Sequence, residues 1–244
     1  PEDAPSVGQP EDALCAGQPE DTPSAGQPED APRRGASPQG RPPGGPHARQ
    51  ISKLIWVLGL LALCGQVGEG SAGDWSAVYL HVDLHSSAAF AAAGLAAFSV
   101  MMAAGRVVGD RLAGRFGPVR LVRASALLAG LGLAAGLLIG TPAAAVAGFA
   151  LLGAGLAGIF PQIVSAAVRL DPARAGRTIG RIAAIAYSGL LSGPVVIGAV
   201  ASGVGLRDAL LLPAALAVLV AVLAGTVNAG SPARQPQAAA RSSR

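Results

Sequence analysis

Hydrophobic and polar positions divide the chain near residue 50. Beyond it, apolar residues collect into six runs, roughly 51–73 (continuing to Leu80), 88–109, 121–140, 142–168, 182–203 and 209–227. A helix needs about 20 apolar residues, each rising about 1.5 Å, to cross the hydrocarbon core of a bilayer. Each run is near or above that length. A helix facing water would show a polar residue every third or fourth position, and the fourth and sixth runs carry no charge at all. The pattern predicts an all-α membrane protein with six transmembrane helices over residues 51–227.

The first 50 residues follow another rule. A nine-residue repeat opens the chain: PEDAPSVGQ, PEDALCAGQ, PEDTPSAGQ and a degraded PEDAPRRGA. Eleven of the 19 prolines fall within the first 46 residues, and eight of the 14 acids are there as four Glu-Asp pairs. Such a segment has almost no apolar surface to bury, so nothing offsets the entropy of ordering it. A disordered leader with local polyproline character is expected over 1–50, and a disordered basic tail over 228–244. The leader reads either as a tether or as an extension upstream of the true start, since the chain opens on Pro1. No apolar stretch accompanies its charges, so it is not a signal peptide.

Composition narrows the class. Half the residues are apolar (51%) and only 13% are charged, against about 25% charged in soluble domains. So little charge cannot cover a surface facing water. The basic balance, net +4, falls in clusters at helix ends rather than in one patch, which argues against nucleic-acid binding. Of 18 basic residues, 17 fall on one side of the expected membrane and only Arg207 on the other. By the positive-inside rule both termini are then cytoplasmic, in a multi-pass protein of the inner membrane.

Enzyme chemistry finds little support. Cys15 and Cys64 offer no metal spacing, Lys53 is the only lysine and no phosphate-binding glycine loop accompanies it. A serine protease would need a base near Ser188, yet His47, His81 and His85 lie outside the six runs. No catalytic residue, metal or cofactor is expected.

Ionisable residues inside the spans are the functional candidates. Glu69 and Asp74 lie in QVGEGSAGDWSAVYL, among Gly65, Gly68, Gly70 and Gly73. These glycines suggest a helix interrupted at membrane depth, tolerated where backbone lines a cavity. Two readings of Glu69 stand open: a place on a substrate or proton path, or a side chain paired or reaching toward outer water. Trp75 and Tyr79, four apart, share one helix face and read either as part of that cavity or as an aromatic belt. Arg106 is placed near the inner end of the second helix, tens of ångströms from Glu69 at about 1.5 Å per residue, and is not expected as its partner.

Around the second connection, GRVVGDRLAGRFGPVR supplies Arg106, Asp110, Arg111, Arg115 and Gly117 as candidates for a cytoplasmic gate, with Asp110 pairing with Arg115 or a neighbouring basic residue. Glycines four apart, such as Gly132 and Gly136 or Gly189 and Gly193, suit close helix packing. Pro161 and the Gly193-Pro194 pair weaken helical hydrogen bonding and are candidate bending points.

The stretch GRVVGDRLAGRFGPVRLVR resembles the basic loop motif of the major facilitator superfamily, which joins the second and third helices of each six-helix half. GDWSAVYL, GFALLGAGLAGIFPQIVSAA (148–167) and YSGLLSGPVVIG (187–198) resemble the seventh, tenth and eleventh helices of bacterial members, especially the sugar/fucose-permease-like branch. Gly114 stands where the motif usually carries an acid, with Asp110 one turn earlier on the same face. The resemblance covers about 51–227. It implies the C-terminal half of a transporter that moves a small solute by alternating access, often with protons, and a second six-helix half as partner. The rival expectation is a non-transporting membrane scaffold or an inactive truncated half.

Overall fold

The computed structural model describes residues 46–225, with side chains from residue 49 onward. The leader repeat and most of the tail lie outside the described residues. The described residues are helical throughout, and six helical spans are long and apolar enough to cross a membrane: Arg49–Asp83, Ala88–Phe116, Pro118–Ile139, Pro142–Leu170, Pro172–Val204 and Leu206–Leu223.

The boundaries follow from local chemistry. Helix α1 (Pro46–Val78) starts before the apolar run, because proline's fixed φ suits a first helical turn. It is prolonged by one π-helical turn, Tyr79–Asp83. Helix α2 (Ala88–Phe116) is capped by the Ser87 Oγ, which accepts from the Phe90 N–H at 3.2 Å. Gly117, at φ +81°, ends α2 and turns the chain into α3 (Pro118–Ile139) within one residue. That left-handed φ favours glycine. Thr141 caps α4 (Pro142–Leu156), accepting from the Ala144 N–H at 3.3 Å.

The fourth span is two helices rather than one. After α4 the chain loosens at Ala157-Gly158 and resumes as α5 (Ile159–Leu170). Pro161 has no N–H to give the Ala157 carbonyl, four residues back, and the break falls at that carbonyl. Helix α6 (Ala175–Val204) follows a short 3₁₀ turn at Pro172–Arg174 and carries Pro194 inside it. The single turn α7 (Leu206–Ala209) leads into α8 (Leu211–Leu223).

Helix packing runs on missing side chains. Lipid is as apolar as leucine, so close backbone approach takes over from hydrophobic burial. Helix α1 lies along α6, where a Cβ on Gly189 would stand 2.7 Å from the Leu63 carbonyl oxygen and one on Gly193 3.0 Å from that of Val67. Gly136 and Gly148 do the same between α3 and α4, and Gly153 sets α4 directly on the Phe98 carbonyl of α2. Larger side chains fill the remaining gaps, with Leu58, Leu133, Phe149, Ile163, Ile182 and Ile197 wholly enclosed.

Two arginines tie α3 to the last span at opposite ends, Arg207 from α7 and Arg123 to α8. Arg207 donates from Nε to the Leu137 carbonyl (3.0 Å) and from Nη2 to that of Leu138 (2.9 Å). Arg123 donates from Nε to the Ala221 carbonyl near the end of α8 (3.3 Å). Each cation satisfies carbonyls that a helix C-terminus leaves without an N–H partner, and meets the negative end of that helix's dipole.

Candidate functional site

The expected interruption of the first helix is absent. Helix α1 passes unbroken through Gly65, Gly68, Glu69, Gly70 and Gly73. Three of those glycines serve packing: Gly65 faces Ile159, Gly68 faces Leu156, and Gly70 lies on the Leu190 carbonyl of α6, while Gly73 faces open space. The glycine density therefore marks helix contacts, not a broken span.

This continuity changes the depth of Glu69. Helix α1 with its π turn reaches Asp83, which puts Glu69 about 21 Å from that end at 1.5 Å per residue. Arg106 lies about 28 Å from Ser87 on the antiparallel α2, so the two side chains meet at nearly one level. Arg106 Nη2 stands 3.7 Å from Glu69 Oε1. The expectation that they lie tens of ångströms apart is thus corrected. It treated Arg106 as part of the basic loop, although about 16 Å of helix separates it from Gly117. For the same reason Arg106 belongs with Glu69 and not with the gate cluster.

The pair sits near half depth, since α3 spans about 33 Å between Gly117 and Gly140. The Arg106 side chain is 58% exposed and that of Glu69 30%. Arg106 Nη2 also donates to the Met102 sulfur one turn back, at 3.1 Å. Gln66, three residues before Glu69, shares its helix face and is half-buried. A guanidinium open at this depth costs about 2.5–3.5 kcal/mol in hydrocarbon and favours water or protein on that side.

Asp74 is exposed, and among the described residues no ion pair joins it to the Glu69–Arg106 pair. Trp75 turns the other way, with Nε1 donating to the Pro194 carbonyl at 3.0 Å and its ring against Gly198. Tyr79 is 1% exposed. Neither ring forms an aromatic belt: Trp75 ties α1 to α6, and Tyr79 packs within the bundle.

In the gate cluster Asp110 is exposed, and no ion pair joins it to Arg111, Arg115 or any other described basic residue. The expected Asp110–Arg115 contact is not made in this conformation. Arg115 instead lies over the Phe116 ring, 5.8 Å from its centroid, and Gly117 supplies the turn. The bending candidates sit at irregular places in the helices: Pro161 just after the α4/α5 break, and Gly193-Pro194 where α6 meets α1.

Sequence reasoning missed the Arg106–Glu69 pairing and the capping role of Arg207. The signal for Arg207 was present, because it is the one basic residue on its side and stands beside the end of α3 in an antiparallel bundle.

Comparison with known proteins agrees with this architecture. A sequence model of the Major Facilitator Superfamily matches residues 51–243. An uncharacterised transporter of Sinorhizobium fredii is 37% identical over 170 residues, 70% of this chain and 45% of that protein. The membrane protein MosC of Rhizobium meliloti is 35% identical over 183 residues, 72% of this chain and 44% of its own. An MFS-type transporter of Yersinia pestis is 31% identical over 189 residues, covering 78% and 49%. The chain spans about half the length of these relatives. Six membrane-length helices, the basic turn at Gly117 and a match across most of its residues establish that the chain belongs to the major facilitator superfamily.

Proposed function

We propose that the chain is the C-terminal six-helix half of a secondary transporter, and that with a second six-helix half it moves a small solute by proton-coupled alternating access. The observation that carries this reading is the open Glu69–Arg106 pair at half depth. Charges there favour water or protein beside them, and a central cavity closed by a second half supplies both. Coverage of the helices points the same way. Only 22% of the apolar window of α2 and 28% of that of α6 are buried, against 44–50% in the other four spans.

In this reading Glu69 takes and releases the coupling proton, and Arg106 holds its charge when the site is empty. Asp74 lines the outer approach, and Trp75 holds α1 against α6 beside it through the Pro194 carbonyl. Asp110, Arg111, Arg115 and Gly117 form the cytoplasmic gate, with Asp110 finding its basic partner in another conformation or in the other half. Pro161 lets the fourth span flex at the α4/α5 joint, and Gly193 and Pro194 let α6 bend only together with α1. The arginine-rich end faces the cytoplasm of a bacterial inner membrane.

Thiol accessibility tests the cavity without knowledge of the substrate. In membrane vesicles carrying the full chain with Cys15 and Cys64 replaced by alanine, Gln66→Cys should react with a membrane-impermeant methanethiosulfonate reagent. Leu131→Cys and Leu138→Cys, exposed on α3, should stay unreactive in lipid. Equal inertness at all three positions would remove the aqueous path and the proposal with it.

A further inference from the structure

At the basic end of the bundle, α1, the 3₁₀ turn and the start of α6 enclose a pocket of about 160 Å³. Its polar lining comprises Ser52, Asp171, Arg174, Arg177, Thr178 and Arg181. The three arginines recur at i, i+3 and i+7 and so share one face of α6 and the turn before it. Asp171 is committed to the local turn, its Oδ1 accepting from the Arg174 N–H at 3.2 Å. Among the described residues no carboxylate lies within ion-pair distance of any of the three guanidinium groups; Glu69 with Arg106 is the pair that forms. The pocket therefore keeps two net positive charges.

Thr178 is the second observation. Its residue is 3% exposed, it lines this pocket, and its hydroxyl has no hydrogen-bond partner among the described residues. That hydroxyl opens onto the pocket rather than being sealed in the core, and is free to donate to a group bound there. Ile51 and Ile55 form the apolar wall opposite, and the N–H groups of the first turn of α6 add the positive end of a long helix. A pocket with cationic forks, a hydroxyl donor and an apolar wall matches an anionic tetrahedral group beside acyl chains.

We infer that this pocket binds a phosphate group through Arg174, Arg177, Arg181 and Thr178, either on an anionic phospholipid headgroup or as free phosphate. This site is separate from the Glu69–Arg106 pair and does not depend on transport. Arginines at a membrane surface each contribute about 1 kcal/mol toward anionic lipid, a factor of about five. Bound phosphate would fix α1 against α6 at the end where their glycine contacts give out.

Two arms test it with the purified full chain. In nanodiscs of phosphatidylcholine, stepwise addition of phosphatidylglycerol should raise the thermal midpoint in a saturable way. Radiolabelled inorganic phosphate, measured by equilibrium dialysis in neutral detergent, reports the free anion. A rise with phosphatidylglycerol and no phosphate binding assigns the site to the headgroup; binding in both arms assigns it to phosphate in general. Arg174→Gln with Arg177→Gln and Arg181→Gln should weaken binding roughly a hundredfold. Thr178→Val, which keeps shape and charge, should weaken it about tenfold and provides the measure if the triple variant does not fold. Equal midpoints in the two lipids with no phosphate binding, or unchanged affinity in Thr178→Val and each single Arg→Gln variant, would overturn the inference.

Discussion

Neutralising either member of the Glu69–Arg106 pair should destabilise the bundle, and neutralising both should cost less than the sum. At about 4 Å two unit charges attract by roughly 4 kcal/mol at an effective dielectric near 20, and by about 1 kcal/mol in water. The pair stands at 3.7 Å with Arg106 more than half exposed, so the coupling belongs between those limits, at about 1–3 kcal/mol. A lone arginine at the centre of a membrane helix costs about 2.5–3.5 kcal/mol on insertion scales, and this bounds the effect of Glu69→Gln from above. Glu69→Gln, Arg106→Gln and the double variant form the cycle, read by thermal and denaturant unfolding of the full chain in detergent micelles. Charge reversal at both positions should recover most of the stability. Strict additivity, with a coupling under about 0.3 kcal/mol, would mean that the side chains act independently and would refute a shared site.

Three further outcomes follow from single contacts. Gly153→Val should cost about 1–3 kcal/mol or more, because the new Cβ meets the Phe98 backbone of α2, whereas Gly73→Ala, with open space around it, should be neutral or gain up to about 1 kcal/mol; the two melting curves in one detergent decide it. Arg207→Ala leaves the Leu137 and Leu138 carbonyls without their donor and should cost about 1–2 kcal/mol, while Arg207→Lys recovers only part of it, since an ammonium lacks the planar fork. Gly117→Ala forces a Cβ into φ +81° and should cost about 1–2 kcal/mol, seen as a lower melting midpoint with unchanged helicity by circular dichroism.

The six spans were legible because lipid enforces them. Backbone groups with no water to bond must pair within one helix, and each span then needs an unbroken apolar run that can be read directly. Capping by Ser87 and Thr141 and the turn at Gly117 are equally local. Depth and register were not legible. The QVGEGSAGDW stretch reads as a break because glycines disfavour helices in water, yet α1 runs through it unbroken, with α5, α4 and α6 packed on Gly65, Gly68 and Gly70. Separately, grouping Arg106 with the basic loop moved it away from Glu69. The Trp75–Pro194 hydrogen bond spans 119 positions, and no periodicity encodes which two helices will lie together. Asp110 shows the opposite case: its spacing to the neighbouring arginines allows a pair, while the side chains in this conformation make none.

The two proline sites are not equivalent as points of motion. In α6, Pro194 cannot donate to the Leu190 carbonyl, but that carbonyl lies against the bare Cα of Gly70, and the Pro194 carbonyl accepts from Trp75. Both the Leu190 carbonyl and the Pro194 carbonyl thus face α1, so α6 cannot bend there without carrying α1 along. At Ala157-Gly158 the dihedrals stay near helical but the hydrogen-bonded helix is interrupted, and a Cβ on Gly158 would meet nothing within 4 Å. Bending there disturbs fewer contacts. Any motion in this half is therefore expected at the α4/α5 joint before the α1–α6 contact. Glu69 and Arg106 both feel that joint. Arg106 lies on α2, which packs on α4 through Phe98 and Gly153, and Glu69 lies on α1, whose Gly65 and Gly68 face Ile159 and Leu156 on either side of the joint. The pair, 3.7 Å apart, is thus held by contacts to the two helices that meet there, and a shift of α4 against α5 changes the support of one partner more directly than that of the other.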